Sequence, residues 1–314
     1  MNRERLAGIG AVSITSLLWG TTGTAATFAP AAGPLAIGAA ALGIGGLLQG
    51  LIAIGPLVRR AASLRRHRGL LIVGAVAVAV YPLAFYSSMQ QAGVAIGTVV
   101  SLASAPLASG LLELLVERRV LSRWWMVAAG LGVLGSTLLC LSKPGVATST
   151  TASTGLGVAL GLAAGGCYAV YSWVAHRLIG HGVGRTASMG AVFGAGGALL
   201  IPVLLFTGAP LVASVAAFSV AAYLALVPMF LGYLLFGFGL TRVSPSTATT
   251  ITLSEPAVAA VLAVVVVGER LTPLGWIGLA VLGVALAVLA LDPRTLAAPV
   301  FSRSNEGEPS AHCP

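Results

Sequence analysis

The chain reads as an all-α integral membrane protein of ten transmembrane helices, arranged as two inverted five-helix repeats. Three observations predict this. The 314 residues are 57% hydrophobic and only 8% charged, with a mean hydropathy of +0.99. A soluble domain carries about 25% charged residues, so this chain cannot cover a water-facing surface and most of it must face lipid. Apolar runs long enough to cross the bilayer recur along the sequence. The second half also repeats a pattern seen in the first.

A helix needs about 20 residues to span the hydrocarbon core. The apolar runs fall at 6–28, 35–57, 69–89, 95–116, 124–142, 155–176, 186–207, 214–240, 245–267 and 274–291. The first run, behind Arg3 and Arg5, reads as a membrane helix rather than a cleaved signal peptide, because it is long enough to span and has a counterpart later in the chain. The segment after the last run is polar and contains prolines, so 296–314 is expected to be a disordered tail.

The basic residues test the count. With the N-terminus inside, the tails and the loops 58–68, 117–123, 177–185 and 241–244 hold all of the 17 Lys and Arg residues except Lys143 and Arg270. That asymmetry is the positive-inside signature of a multi-pass protein of the cytoplasmic membrane with both termini cytoplasmic. It also accounts for the net charge of +9 without nucleic acid, for which no interleaved basic and aromatic patch exists. Cys140, Cys167 and Cys313 are scattered and form no CxxC motif. Neither a metal site nor a cofactor is expected.

Glycines four apart, at Gly46 and Gly50, at Gly157, Gly161 and Gly165, and at Gly190 and Gly194, put small residues on one helix face. Neighbouring backbones can then approach closely, for static packing or for sliding.

The repeat is clearest between the segment from Ala92 and the segment from Arg242. Pro106 aligns with Pro256. After a one-residue slip, Arg119 aligns with Arg270 and Trp125 with Trp276. Trp19-Gly20 corresponds to Tyr168-Ala169 in the first helix of each half. The units are therefore 1–145 and 150–295. Each has an odd number of helices, so the second must enter the membrane inverted. Inverted repeats are an architecture of secondary transporters, whose sites lie near the midplane between the repeats.

The stretches "LLWGTTGTAATF" in helix 1, "SLASAPL" in helix 4 and "LSEPAVAAVLAVVVVGERLTPLGWIGLAVLGVAL" in helices 9 and 10 resemble the EamA-like branch of the drug/metabolite transporter superfamily. The resemblance covers about 290 residues and is most specific in helices 9 and 10. It implies a ten-helix transporter, many relatives being exporters of amino acids or other small metabolites, with helices 1, 3, 4, 6, 8 and 9 around a central cavity. This chain departs from the pattern in helix 2, where "GPLAIGAAALGIGG" lacks an arginine, and at the end of helix 4, where "ELLVERR" replaces a "GER"-like sequence.

Glu255 stands out. It lies about ten residues into helix 9, roughly 15 Å deep at 1.5 Å per residue. An acid at that depth costs ~2.5–3.5 kcal/mol on insertion scales, so it should face a partner or a wet cavity. Pro256 removes a backbone donor and should leave the Thr252 carbonyl free for a cation or a substrate amine. Pro106 is the matching kink in the first half. Two readings stand: Glu255 handles substrate or a proton, or Glu255-Pro256 is a structural kink with the acid bonded to a neighbouring serine or tyrosine. Ser246, Thr249, Thr250, Thr252 and Ser254 precede the acid, and Thr98, Ser101 and Ser104 lie in the matching region. Most such hydroxyls bond their own helix.

Trp19, Tyr81, Tyr86, Tyr168, Tyr171 and Trp173 are candidates to line an amphipathic cavity, whereas Trp124, Trp125 and Trp276 fit an interfacial belt. Gln90 and Gln91 read as loop residues, Glu113 as reaching the interface, and His176 and His181 as solvated. The candidate substrate-binding set is thus Glu255, Trp19, Tyr81, Tyr86, Ser101, Tyr168 and Thr252, with Pro106 and Pro256 as hinges. There is no HExxH, P-loop or nucleophile elbow, and no catalytic residue is expected. The expected function is alternating-access efflux of amino acids or related amphipathic metabolites. The expected partners are substrate and lipid, with protons as coupling ion and a homodimer as further expectations. The competing class is an intramembrane enzyme or a non-transporting receptor. An enzyme should show two converging catalytic groups at membrane depth and a receptor a soluble domain, and the sequence shows neither.

Overall fold

The computed structural model describes residues 3–26, 28–92, 94–141, 151–262, 264–265 and 272–291. Lys143, Arg270, Arg294, Arg303, Cys313 and the expected tail at 296–314 lie outside the described residues.

All regular structure among the described residues is helical. In chain order it comprises α1 (Arg3–Ala26, interrupted by a turn at Thr21), α2 (Pro34–Ile52), α3 (Arg68–Ala92), α4 (Val94–Leu115), α5 (Arg123–Leu141), α6 (Thr151–Gly180), α7 (Arg185–Thr207) and α8 (Val215–Leu240). Then come α9, built from Pro245–Ile251, Thr252–Ser254 and Glu255–Leu262, and α10 (Pro273–Ala290). Short helices Ile54–Arg59 and Ala61–Arg66 join α2 to α3, and Ala209–Val212 joins α7 to α8.

Among the described residues seven helices are long and apolar enough to cross a membrane: α1, α2, α3, α4, α6, α7 and α8. α10 counts as a shorter apolar helix. α9 is broken by a 3₁₀ turn over Thr252–Ser254.

The distribution of polarity is inverted relative to a soluble protein. Ile72, Val73 and Val76 of α3, Leu205 and Phe206 of α7, and Val215 and Phe218 of α8 are exposed. Thr15, Ser16, Ser88, Thr249 and Thr250 are buried. An exterior this apolar is matched by lipid tails rather than water.

The principal contacts pair α3 with α6, α4 with α6, α2 with α7, α5 with α10, α1 with α8, α3 with α7, and α1 with α9. Glycine makes two of these crossings close enough. A Cβ added to Gly194 of α7 would stand 2.9 Å from the Cα of Gly50 on α2. One added to Gly157 of α6 would stand 2.6 Å from the backbone nitrogen of Ala92. The small-residue faces read from the sequence are therefore the α2–α7 seam and the seams of α6 with α3 and α4.

π-helical turns interrupt α2 at Ala39–Ile44 and α8 at Ala225–Leu231, the latter around Pro228. Extra-residue turns of this kind redirect carbonyls off the helix ladder, and the site uses one of them.

Three expectations fail at one end of the bundle. Trp125 is not in an interfacial belt: it is buried and packs against Gly110. Glu113 does not reach the interface, since it is 5% exposed and its Oε1 accepts the backbone N–H of Ser246 at 2.8 Å. His176 is not solvated: it is buried, with Nδ1 2.7 Å from the Leu240 carbonyl. In each case a residue near a helix end in sequence is covered by a neighbouring helix.

Candidate functional site: a central chamber beneath Glu255

α9 brings Glu255 to the site. Its first turn is capped twice. The Ser244 hydroxyl accepts from the Thr247 N–H, and Glu113 from α4 accepts from the Ser246 N–H. Pro245 occupies the first helical position, where a missing donor costs nothing. The hydroxyls that follow turn back on their own helix, as sequence reasoning expected: Thr249 to the Pro245 carbonyl, Thr250 to that of Ser246, Thr252 to that of Thr249 and Ser254 to that of Ile251.

Pro256 acts differently from expectation. Lacking an N–H, it cannot donate to the Thr252 carbonyl, but that carbonyl is not left free. The chain tightens into a 3₁₀ turn, and the Glu255 N–H donates to it instead.

Glu255 lines two adjoining spaces that share Trp19, Thr22, Phe85 and Tyr86 in their walls. One is a chamber of about 490 Å³, lined by Trp19, Thr22, Phe85, Tyr86, Met89, Gln90, Thr98, Leu102, Leu139, Glu255 and Pro256, among others. The other is a niche of about 30 Å³ beside Trp19, Tyr81, Phe85, Tyr86, Tyr233 and Glu255. Among the described residues the Glu255 carboxylate has no hydrogen-bond or ion-pair partner. The alternative in which a neighbouring serine or tyrosine holds it is not what the structure contains.

An aromatic wall backs the niche. Trp19 packs on Tyr233 with ring centroids 4.8 Å apart, and Tyr81 lies 5.8 Å from Tyr168. The wall is held by buried hydrogen bonds. Trp19 Nε1 donates to the Pro228 carbonyl at 2.9 Å. That acceptor is available because the π turn sends the Gly232 N–H to Met229 and Val227. The Tyr171 and Tyr233 hydroxyls pair at 2.9 Å. Thr252 already donates to Thr249, so the Tyr168 hydroxyl donates to Thr252 Oγ1, also at 2.9 Å.

The structure thus brings together Glu255, Trp19, Tyr81 and Tyr86 around open space, with Pro256 in the chamber wall. Tyr168 and Thr252 stand one layer behind, bonded to each other. Ser101 is buried in α4 at its seam with α6, away from both spaces. Pro106 is buried within α4 and lines neither. Tyr171 supports the wall, whereas Trp173 donates to Glu117 at the opposite end.

Sequence reasoning missed Tyr233, Phe85 and Thr22. Tyr233 carries the signal that singled out Tyr81, a tyrosine inside an apolar run. Phe85 and Thr22 carry none. Gln90, read as a loop residue, lines the chamber. Among the described residues no group of three or more His, Cys, Asp or Glu side chains is placed to hold a metal ion.

The chamber wall includes the last residues of α1 and α3 and the first of α2 and α4. The other end of the bundle is tied by ion pairs and buried hydrogen bonds, with a separate space of about 310 Å³ beside Gln49, Arg185 and Phe238. There Glu117 is held by Trp173, Arg119 and Arg177, Arg242 pairs with Glu4, and the Glu113 and His176 bonds lie just beneath.

Described residues that are all helical where regular, with an apolar exterior and a buried acid facing a chamber, make this a multi-pass membrane protein of the transporter type. The chain belongs to the EamA-like transporter family, whose model matches residues 6–141 and again 155–291. It is 33% identical over 286 residues to the uncharacterized transporter YwfM of Bacillus subtilis (strain 168), covering 90% of this chain and 93% of that protein. It is 29% identical over 302 residues to a probable terminal-alkyne amino-acid exporter of Streptantibioticus cattleyicolor, covering 91% and 96% respectively. A crystal structure at 20% identity superposes with a TM-score of 0.74 over 91% of this chain and 98% of the other, a likeness of fold.

Proposed function

We propose that this protein is a secondary transporter that exports small amphipathic metabolites across the cytoplasmic membrane by alternating access. Glu255 is the central binding group, and a proton is the candidate coupling ion that exchanges with substrate there. The observation that carries the reading is the unpartnered Glu255 carboxylate between chamber and niche, with ion pairs tying the opposite end of the bundle and Glu255 lining no space there. A binding group reachable from one side only is one half of an alternating-access cycle.

The reading takes the chain as ten spans in two inverted units, 1–145 and 150–295, with both termini cytoplasmic. The chamber then opens outward and the arginine-rich end is the inner gate. Two observations support this. The family match falls once in each half. Six of the larger helix pairings also map onto one another when the halves are exchanged: α3–α6 becomes α8–α1, α4–α6 becomes α9–α1, while α2–α7 and α5–α10 return to themselves.

Counterflow in proteoliposomes tests the function. Wild-type protein should exchange at least one labelled compound from a broad panel of amino acids, amines and other small metabolites, and Glu255→Gln should lose that exchange. Undiminished exchange in the variant would make Glu255-Pro256 a structural kink. No exchange of any compound by folded protein would return the enzyme or receptor class.

A further inference from the structure

The niche groups are unequal in what they can still bind. Three of them already hold a partner within the protein. Trp19 Nε1 donates to Pro228, the Thr22 hydroxyl donates to the Trp19 carbonyl at 2.7 Å, and the Tyr233 hydroxyl is paired with Tyr171. Among the described residues, the Glu255 carboxylate and the Tyr81 and Tyr86 hydroxyls have no such partner. The free set is therefore one acid and two hydroxyls, each of which can accept as well as donate. Among the described residues no Arg, Lys or His lines the niche or the chamber.

A primary ammonium offers three N–H donors, one for the acid and one for each hydroxyl oxygen. The niche, at about 30 Å³, has room for a group of roughly the size of one water molecule. The rings of Trp19 and the tyrosines add faces that attract a cation. The much larger chamber, with Phe85 in its wall, suits an apolar body. A carboxylate on the carbon that bears the ammonium would enter the same low-dielectric space as Glu255. It would meet like charge, with only neutral donors and no cationic side chain among the described lining residues to offset it.

Resting on the transport reading, we infer that the substrates are primary amines with an apolar body and no free α-carboxylate. Amino acids themselves are discriminated against. This differs from what the name of the Streptantibioticus cattleyicolor relative says of that protein.

Four matched compounds test the inference by counterflow and by thermal-shift binding to the purified full chain: phenethylamine, phenylalanine, phenylalanine methyl ester and N-trimethylated phenethylammonium. The amine and the ester should exchange at least tenfold better than phenylalanine, because they differ from it by the carboxylate charge. The trimethylated ion, with no N–H and a larger head, should be as poor as phenylalanine. Tyr81→Phe and Tyr86→Phe should each weaken phenethylamine severalfold, and Glu255→Gln should abolish its exchange while still folding, as checked by size-exclusion profile. Phenylalanine exchanged as well as phenethylamine would overturn the inference and leave a transporter. So would phenethylamine neither binding nor exchanging while another compound in a broad panel does. The transport reading falls only if that broad panel also yields no exchange.

Discussion

Glu113 is the most informative residue away from the chamber, because its carboxylate caps a helix to which it does not belong. The perturbations are Glu113→Ala and Glu113→Gln. Alanine removes the acceptor of the 2.8 Å bond and leaves the Ser246 N–H buried and unpaired. Hydrogen bonds to charged groups contribute about 1.5–3 kcal/mol in soluble proteins, and interhelical bonds measured in a membrane protein reach about 1.7 kcal/mol. A loss of about 1–2 kcal/mol is expected. Glutamine keeps an oxygen at the same place and loses only the charge facing the N-terminus of α9, worth about 0.3–1 kcal/mol. The order of stability should be wild type, Glu113→Gln, Glu113→Ala, read by reversible unfolding in lipid nanodiscs. Equal loss in both variants would show that the charge, not the acceptor, matters. No loss in either would refute the capping argument.

Other outcomes follow from named contacts. In a double-mutant cycle of Tyr168→Phe and Thr252→Val, the two hydroxyls should be coupled by about 0.6–1.7 kcal/mol, and zero coupling in the same unfolding assay would deny their bond. Gly194→Val should push α2 from α7 and cost about 1–3 kcal/mol. Gly10→Ala meets open space and should be neutral or stabilising by about 0.5–1 kcal/mol; thermal unfolding of both variants checks the contrast. A single cysteine at Gln90 should react with an impermeant maleimide added outside intact cells, and one at His181 only after the membrane is breached. The reverse pattern would invert the topology.

The membrane class and most helix positions were legible in the sequence because lipid imposes them locally. A run of apolar residues long enough to span must be a helix, since nothing else in lipid satisfies its backbone. Glu255 was legible for the same reason, as the one acid deep in such a run. Its hydroxyl-rich approach could also be read, because serine and threonine in a helix reach their own carbonyls.

What only the tertiary structure decided is which polar groups meet across helices. The 3₁₀ turn takes up the Thr252 carbonyl that Pro256 leaves, so a predicted binding group is occupied. A π turn in α8 presents the Pro228 carbonyl to Trp19, and α4 lends Glu113 to α9. Ser101, expected at the site, is buried at a seam, and Tyr233, not singled out in the sequence, faces the niche. These outcomes depend on the rotation of each helix about its axis and on small departures from regular geometry. In a helix hydrophobic on most sides, periodicity does not encode that rotation, and packing against neighbours sets it.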